Sequence, residues 1–209
     1  MPAGLILLIA VPVAAGAARV AQLLGGAEIT PENARFFAMP IPVLVHIFSA
    51  STFCLLGAFQ FVPGLRRRGW HRVAGRIVAP CGLAAALSGL WMTCFYPHPP
   101  GDGPLLTVFR LIFGSAMAVA LVLGVAAILR RDIAAHRAWM IRGYAIGQSA
   151  GTQVLTTLPW ALLIGPPSEL PRALLLGAAW VINIALAEWL ICRRAVVRRP
   201  VRPEPALVG

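Results

Sequence analysis

The chain has 209 residues, 59% apolar and only 12% charged, where a soluble domain carries roughly 45–50% and about 25%. So little polar material cannot cover a water-facing surface, which excludes a soluble globular protein, and the same apolar fraction excludes disorder. The formal net charge of +11 would suit a nucleic-acid partner only on a soluble basic face. All 18 basic residues here are arginines in short clusters between apolar runs, the pattern of loops held on one side of a bilayer. An integral membrane protein is expected, with lipid and no nucleic acid as its partner.

A bilayer core of about 30 Å takes about 20 helical residues. Six stretches qualify, at 4–24, 40–65, 73–95, 105–129, 139–164 and 172–192. The first is the weakest, with Pro12 inside it and Arg19 and Gln22 at its end. Ala15, Ala17 and Ala18 resemble a signal cleavage region, but no basic residue precedes the apolar core, so the segment reads as a retained helix. Residues 1–192 form one transmembrane domain on this reading, and 193–209 form a basic, proline-rich tail.

Orientation follows from arginine asymmetry. Five arginines fall between Arg66 and Arg76, four between Arg130 and Arg142, and five between Arg193 and Arg202. Alternation places these on one face, against Arg19, Arg35, Arg110 and Arg172 opposite. The arginine-rich face is expected in the cytoplasm, with both termini inside a bacterial inner membrane. There the tail can lie on anionic lipid head groups.

The second and third spans and the fourth and fifth spans share a plan. Each hairpin turns at arginines and restarts with a His-Arg pair, His71-Arg72 and His136-Arg137, beside Trp70 and Trp139. Two parallel hairpins would then form a four-helix core, with the first and last spans packed outside. Gly143, Gly147 and Gly151 put a smooth stripe down the fifth span, and Gly82, Ala85, Ala86 and Gly89 do the same for the third. Small residues of this kind let helix backbones approach in lipid.

Charged side chains at membrane depth must find partners or cavities. Glu188 stands four residues before Cys192, at the level of Gln60, His71, Arg76, His136, Arg137 and Arg142. In one reading the arginines snorkel to head groups and one of them pairs with Glu188. A second makes the protein a small redox module that binds haem b or a quinone through His71 and His136, as axial ligands in the haem case, with Arg72, Arg76, Arg137 and Arg142 on the propionates. A third gives the same layer to a phosphate or lipid head group, as in a lipid-binding protein or transporter; a structural subunit without chemistry is a fourth. Towards the other face, His46, Arg110, Gln148, Gln153 and Asn183 could line a polar cavity for a quinone or small solute, or make ordinary interhelical hydrogen bonds. Cys54, Cys81, Cys94 and Cys192 show no ligand spacing, and no phosphate loop, nucleophile elbow or zinc motif is present.

Several segments share a wider pattern. His46 with Leu56-Gly57-Ala58-Phe59-Gln60-Phe61, His71-Arg72-x-x-Gly75-Arg76, Leu87-Ser88-Gly89-Leu90-Trp91, His136-Arg137-Ala138-Trp139-Met140-Ile141-Arg142-x-Tyr144-Ala145, and Asn183 with Ala187-Glu188-Trp189 together resemble the bacterial membrane-protein family called domain of unknown function 2306. The resemblance runs from about residue 35 to 192. It implies a multi-span membrane domain without an established activity. It also marks His46, His71, Arg72, Arg76, His136, Arg137, Trp139, Arg142 and Glu188 as pattern residues.

Overall fold

The structure is a computed structural model and describes residues 2–66 and 69–197. The tail expected from residue 193 keeps helical form to Val197, and its remainder lies outside the described residues. The described chain forms eight helices: α1 Pro2–Leu24, α2 Ala34–Ala38, α3 Pro40–Phe59, α4 Pro63–Arg66, α5 Trp70–Phe95, α6 Pro104–Leu129, α7 Ile133–Leu163 and α8 Glu169–Val197. No strand occurs among the described residues.

Local chemistry sets the ends. Pro40 and Pro104 open α3 and α6 at positions where the missing N–H would have had no helical partner. The second apolar run was expected to stay helical to residue 65, but α3 stops at Phe59. Pro63 disfavours helical geometry at Val62, and the chain turns through Gln60 and Phe61 before the short α4. The fifth helix starts at Ile133, six residues before the apolar pattern suggested. Its cap is Asp132, whose Oδ1 accepts from the Ala135 N–H at 2.9 Å. The preceding turn needs Arg131 at a φ of +62°, and Asp132 N–H donates back to Ala127 O at 2.9 Å.

Helices α3, α5, α6 and α7 pack in that order around the bundle. Direct contact between α7 and α3 is slight, and α1 fits between them, so the first helix is not simply peripheral. Its Ile9, 1% exposed, joins Phe53, Val78, Met117, Leu121 and Tyr144 in the core. Helix α8 lies against α7 and, to a lesser extent, α6. The small residues of α5 and α7 make room for the central side chains: a Cβ on Gly147 would stand 2.7 Å from the Phe53 ring, and one on Gly82 would meet both Phe53 and Leu121.

Five helices, α1, α3, α5, α6 and α8 as far as Arg193, are long and apolar enough to cross a membrane. Helix α7 misses that composition because it is the polar element of the bundle, and its polar groups are spent on neighbours. The Tyr144 hydroxyl donates to Cys54 O at 2.8 Å and accepts from Gln148 Nε2 at 2.8 Å. Thr152 donates to Asn183 Oδ1 at 2.9 Å, while Asn183 Nδ2 donates to Ala145 O at 3.1 Å. Thr156 donates to Leu175 O at 2.9 Å. Burial without such bonds would cost several kcal/mol per group in a medium lacking water.

The α1–α7 contact offers a direct stability test. A Cβ on Gly151 would run into the backbone carbonyl of Leu8, which cannot move without α1, whereas one on Gly4 meets nothing within 4 Å. Gly151→Ala is expected to destabilise the detergent-solubilised protein by about 1–3 kcal/mol, and Gly4→Ala to leave it unchanged. Thermal unfolding followed by circular dichroism checks both.

Candidate functional site

At the arginine-rich end, where α3 and α6 finish and α5 and α7 begin, the sequence places two histidines, several arginines and one glutamate. The structure gathers only part of that set. Arg142 reaches Glu188 through two hydrogen bonds, Nε to Oε1 at 2.5 Å and Nη2 to Oε2 at 2.8 Å. Its guanidinium also stacks 4.7 Å above the Trp139 ring. A fork of this kind neutralises the acid and ties α7 to α8. His136 turns its Nδ1 to Gly124 O of α6 at 2.7 Å.

The rest of the expected layer does not close around these groups. Arg72 and Arg76 are exposed on α5, a helix that packs on α3 and α6 and not on α8. Gln60 and His71 are half-buried at the same end, and neither is free. Arg137 is half-buried on the first turns of α7. His71 and His136 sit on α5 and α7, which lie diagonally across the bundle with little contact.

The opposite end holds a cavity of about 370 Å³, within the range of about 300–1,000 Å³ typical of small-molecule sites. Its floor is apolar, built by Phe53, Ala86, Met117, Ile146 and Gly147 from four helices. Its mouth is polar, with Arg35, Tyr96, His98, Asp102 and Arg110. Between them His46 lines the wall, with Nδ1 2.9 Å from Ala85 O of α5. Two of the expected residues are elsewhere: Gln148 bonds Tyr144 and Leu5 O, and Asn183 bonds Ala145 and Thr152. Their amides serve helix packing, while His46, Arg110 and Gln153 do line the cavity.

Asp102, in the loop between α5 and α6, organises the mouth. Its side chain is 1% exposed, with Oδ2 2.7 Å from Arg110 Nη1 and Oδ1 2.8 Å from Arg172 Nε. One carboxylate thus joins the starts of α6 and α8 to the loop after α5. The sequence signal was present, since Arg110 and Arg172 are isolated cations facing few acids, but only the fold shows that both reach the same one. Arg35 donates to Pro97 O at 3.5 Å and stacks 4.5 Å from Phe36. Burial pushes its guanidinium below the ordinary pKa, with Asp102 opposing the shift. His98 Nε2 lies 3.0 Å from the Thr107 hydroxyl, so it too is tied to α6.

Three guanidiniums and one carboxylate therefore frame the entrance. Asp102→Asn leaves Arg110 and Arg172 with a neutral partner and is expected to cost about 2 kcal/mol. That is below the about 3–5 kcal/mol of a fully buried pair, because the arginine side chains are 32% and 39% exposed. Chemical unfolding in detergent micelles measures the loss, and an unchanged midpoint would refute the ion-pair clamp.

No group of three or more histidine, cysteine or acidic side chains among the described residues is placed to hold a metal ion. Neither a curated protein nor a solved structure matches the chain. The family model described as "Predicted membrane protein (DUF2306)" matches residues 43–191, spanning α3 through most of α8. That span contains His46, Asp102 and the Arg142–Glu188 fork, and it makes the chain a member of the DUF2306 family of predicted membrane proteins.

Proposed function

We propose that this protein is a six-span membrane protein that binds a small amphipathic molecule, a quinone or a lipid, in the cavity at its proline-rich end. The sixth span is α7. Its 31 residues extend about 46 Å at 1.5 Å per residue, and its polar side chains bond inside the bundle, where lipid does not meet them. With α7 counted, alternation of the spans would put the three arginine-rich stretches of the sequence on one side, the cytoplasmic one by the positive-inside rule. Both termini are then cytoplasmic, and the cavity opens towards the outer half of a bacterial inner membrane.

The carrying observation is the cavity's polarity gradient, from the Arg35, Arg110 and Asp102 mouth to the Phe53 and Met117 floor. A water-soluble ion would gain nothing from that floor, and a hydrocarbon nothing from the mouth. A molecule with a polar head and an apolar body uses both. The inner layer supports an anion-gripping role less well, because Arg142 is already neutralised by Glu188.

A second reading is haem b between His71 and His136. One observation favours it: the Nδ1 bond of His136 to Gly124 O leaves Nε2 for a metal, as in many ligating histidines. The exposure of Arg72 and Arg76 removes two of the cations meant for the propionates. The cavity reading therefore carries more of the observed geometry.

Binding is tested with 2-decyl-1,4-benzoquinone on purified protein, following tryptophan fluorescence, since Trp180 lines the cavity. Saturable quenching is expected, lost in Ala50→Phe, which fills the cavity, and kept in Ala116→Phe on the exposed face of α6. Equal, non-saturating quenching in all three proteins would sink the proposal. For orientation, a cysteine-free background carrying Pro100→Cys should react with an impermeant maleimide added outside intact cells, and one carrying Gly64→Cys should not. The reverse pattern would invert the topology.

A further inference from the structure

His46 presents an unfilled acceptor to the cavity. Its Nδ1 lies 2.9 Å from Ala85 O and 3.3 Å from Ser88 Oγ. A backbone carbonyl has no proton to give, so Nδ1 must be the donor. The Ser88 hydroxyl hydrogen points to Ala84 O at 2.6 Å, or to Ala85 O at 3.1 Å, which makes Oγ a second acceptor for the same N–H. In the neutral ring this fixes the tautomer: Nδ1 carries the proton and Nε2 carries a lone pair. Gly89 keeps the ring in place, since a Cβ there would stand 3.3 Å from Cε1.

No hydrogen bond from the described residues reaches Nε2, and the cavity's other polar side chains are directed elsewhere. Thr93 donates to Gly89 O at 2.8 Å and Tyr96 to Met39 O at 2.5 Å. The Cys54 thiol is directed to Gly147 O at 3.7 Å. Arg110 is held by Asp102, and Arg35 by Pro97 O. The acceptor in the wall is left to water or to what enters the cavity. Two aromatic rings, Phe53 and Trp180, border the same space and suit a flat ring.

We propose that the cavity selects an aromatic head bearing a hydroxyl donor, as in a quinol, over the carbonyl-only oxidised quinone, and that His46 Nε2 accepts the selecting hydrogen bond. This rests on the cavity reading above and names the chemical form that the cavity takes. The quinone offers only acceptors, so its oxygens would face the imidazole lone pair without a proton between them. A single net hydrogen bond of about 0.5–1.5 kcal/mol sets the expected preference at about twofold to about tenfold.

The test compares three probes with the same decyl tail on detergent-purified protein under anaerobic conditions: 2-decylhydroquinone, its dimethyl ether and 2-decyl-1,4-benzoquinone. Isothermal titration is expected to give about twofold to about tenfold tighter binding of the hydroquinone than of the other two. His46→Phe should abolish the preference, so that the hydroquinone binds no more tightly than its dimethyl ether, and His46→Gln, whose amide oxygen can accept, should restore part of the preference. Circular dichroism establishes that the variants fold, and retained binding of the dimethyl ether, which has no proton to donate, shows that the cavity persists in them. Equal binding of all three probes, or a preference that persists in His46→Phe, overturns this inference and leaves the cavity reading standing. Absence of binding by every probe overturns both. A Soret band in the purified protein that disappears in His46→Phe would make Nε2 a metal ligand and overturn the hydroxyl-donor assignment.

Discussion

A helix in lipid can hide its backbone within itself, but it cannot hide a polar side chain there; another helix must take it. Helix α7 is the element on which this constraint presses hardest. Tyr144, Gln148, Thr152 and Thr156 each have a partner on α1, α3, α8 or α7 itself. Those bonds place α7 in the middle of the bundle, with α6 and α8 on its flanks and α1 and α3 across from it. The low hydropathy that sets it apart from the other long helices is thus a consequence of its central position.

Close approach of α7 to its neighbours depends on small residues, and the same economy creates the cavity. Phe53 and Leu121 fill the space left by Gly82, Gly143 and Gly147. Towards the proline-rich end Ala50, Ala85, Ala86, Gly89 and Ala150 line the space beside larger side chains such as Leu90, which lies over Gly114. Above that level the loop after α5 ties α6 and α8 together through Asp102, Arg110 and Arg172. The graded cavity lies between the tight packing at the centre and the ion-pair clamp at the rim.

The two ends of the bundle differ in how they handle charge. At the arginine-rich end Glu188 takes one arginine in a two-point fork, and α5 leaves Arg72 and Arg76 exposed. At the proline-rich end one buried carboxylate serves two arginines, and a third stands beside it. A surplus of positive charge is therefore built into the cavity mouth, whereas the other end has its surplus on the surface. His46 and His136 follow a common device, each giving Nδ1 to a backbone carbonyl on the neighbouring helix.

Composition alone dictated the lipid environment, because no arrangement of 59% apolar residues could satisfy water. Apolar run lengths placed four of the six long helices to within five residues at either end, missing the end of α3 and the start of α7 by six, and the glycine spacings marked the faces that pack. These are local properties, carried by neighbours along the chain. Asp132 as a cap and Pro63 as a stop were also legible, yet the apolar pattern overrode them in setting helix ends. The partner of each polar side chain was not legible. Asp102 meets Arg172 across 70 residues, and Arg142 meets Glu188 across 46. Which histidine would face a cavity likewise depends on how helices rotate against one another, and a turn of some tens of degrees exchanges a lipid-facing residue for a buried one. Only the tertiary structure sets those rotations, since they are the joint solution to packing every small residue and pairing every polar one at once.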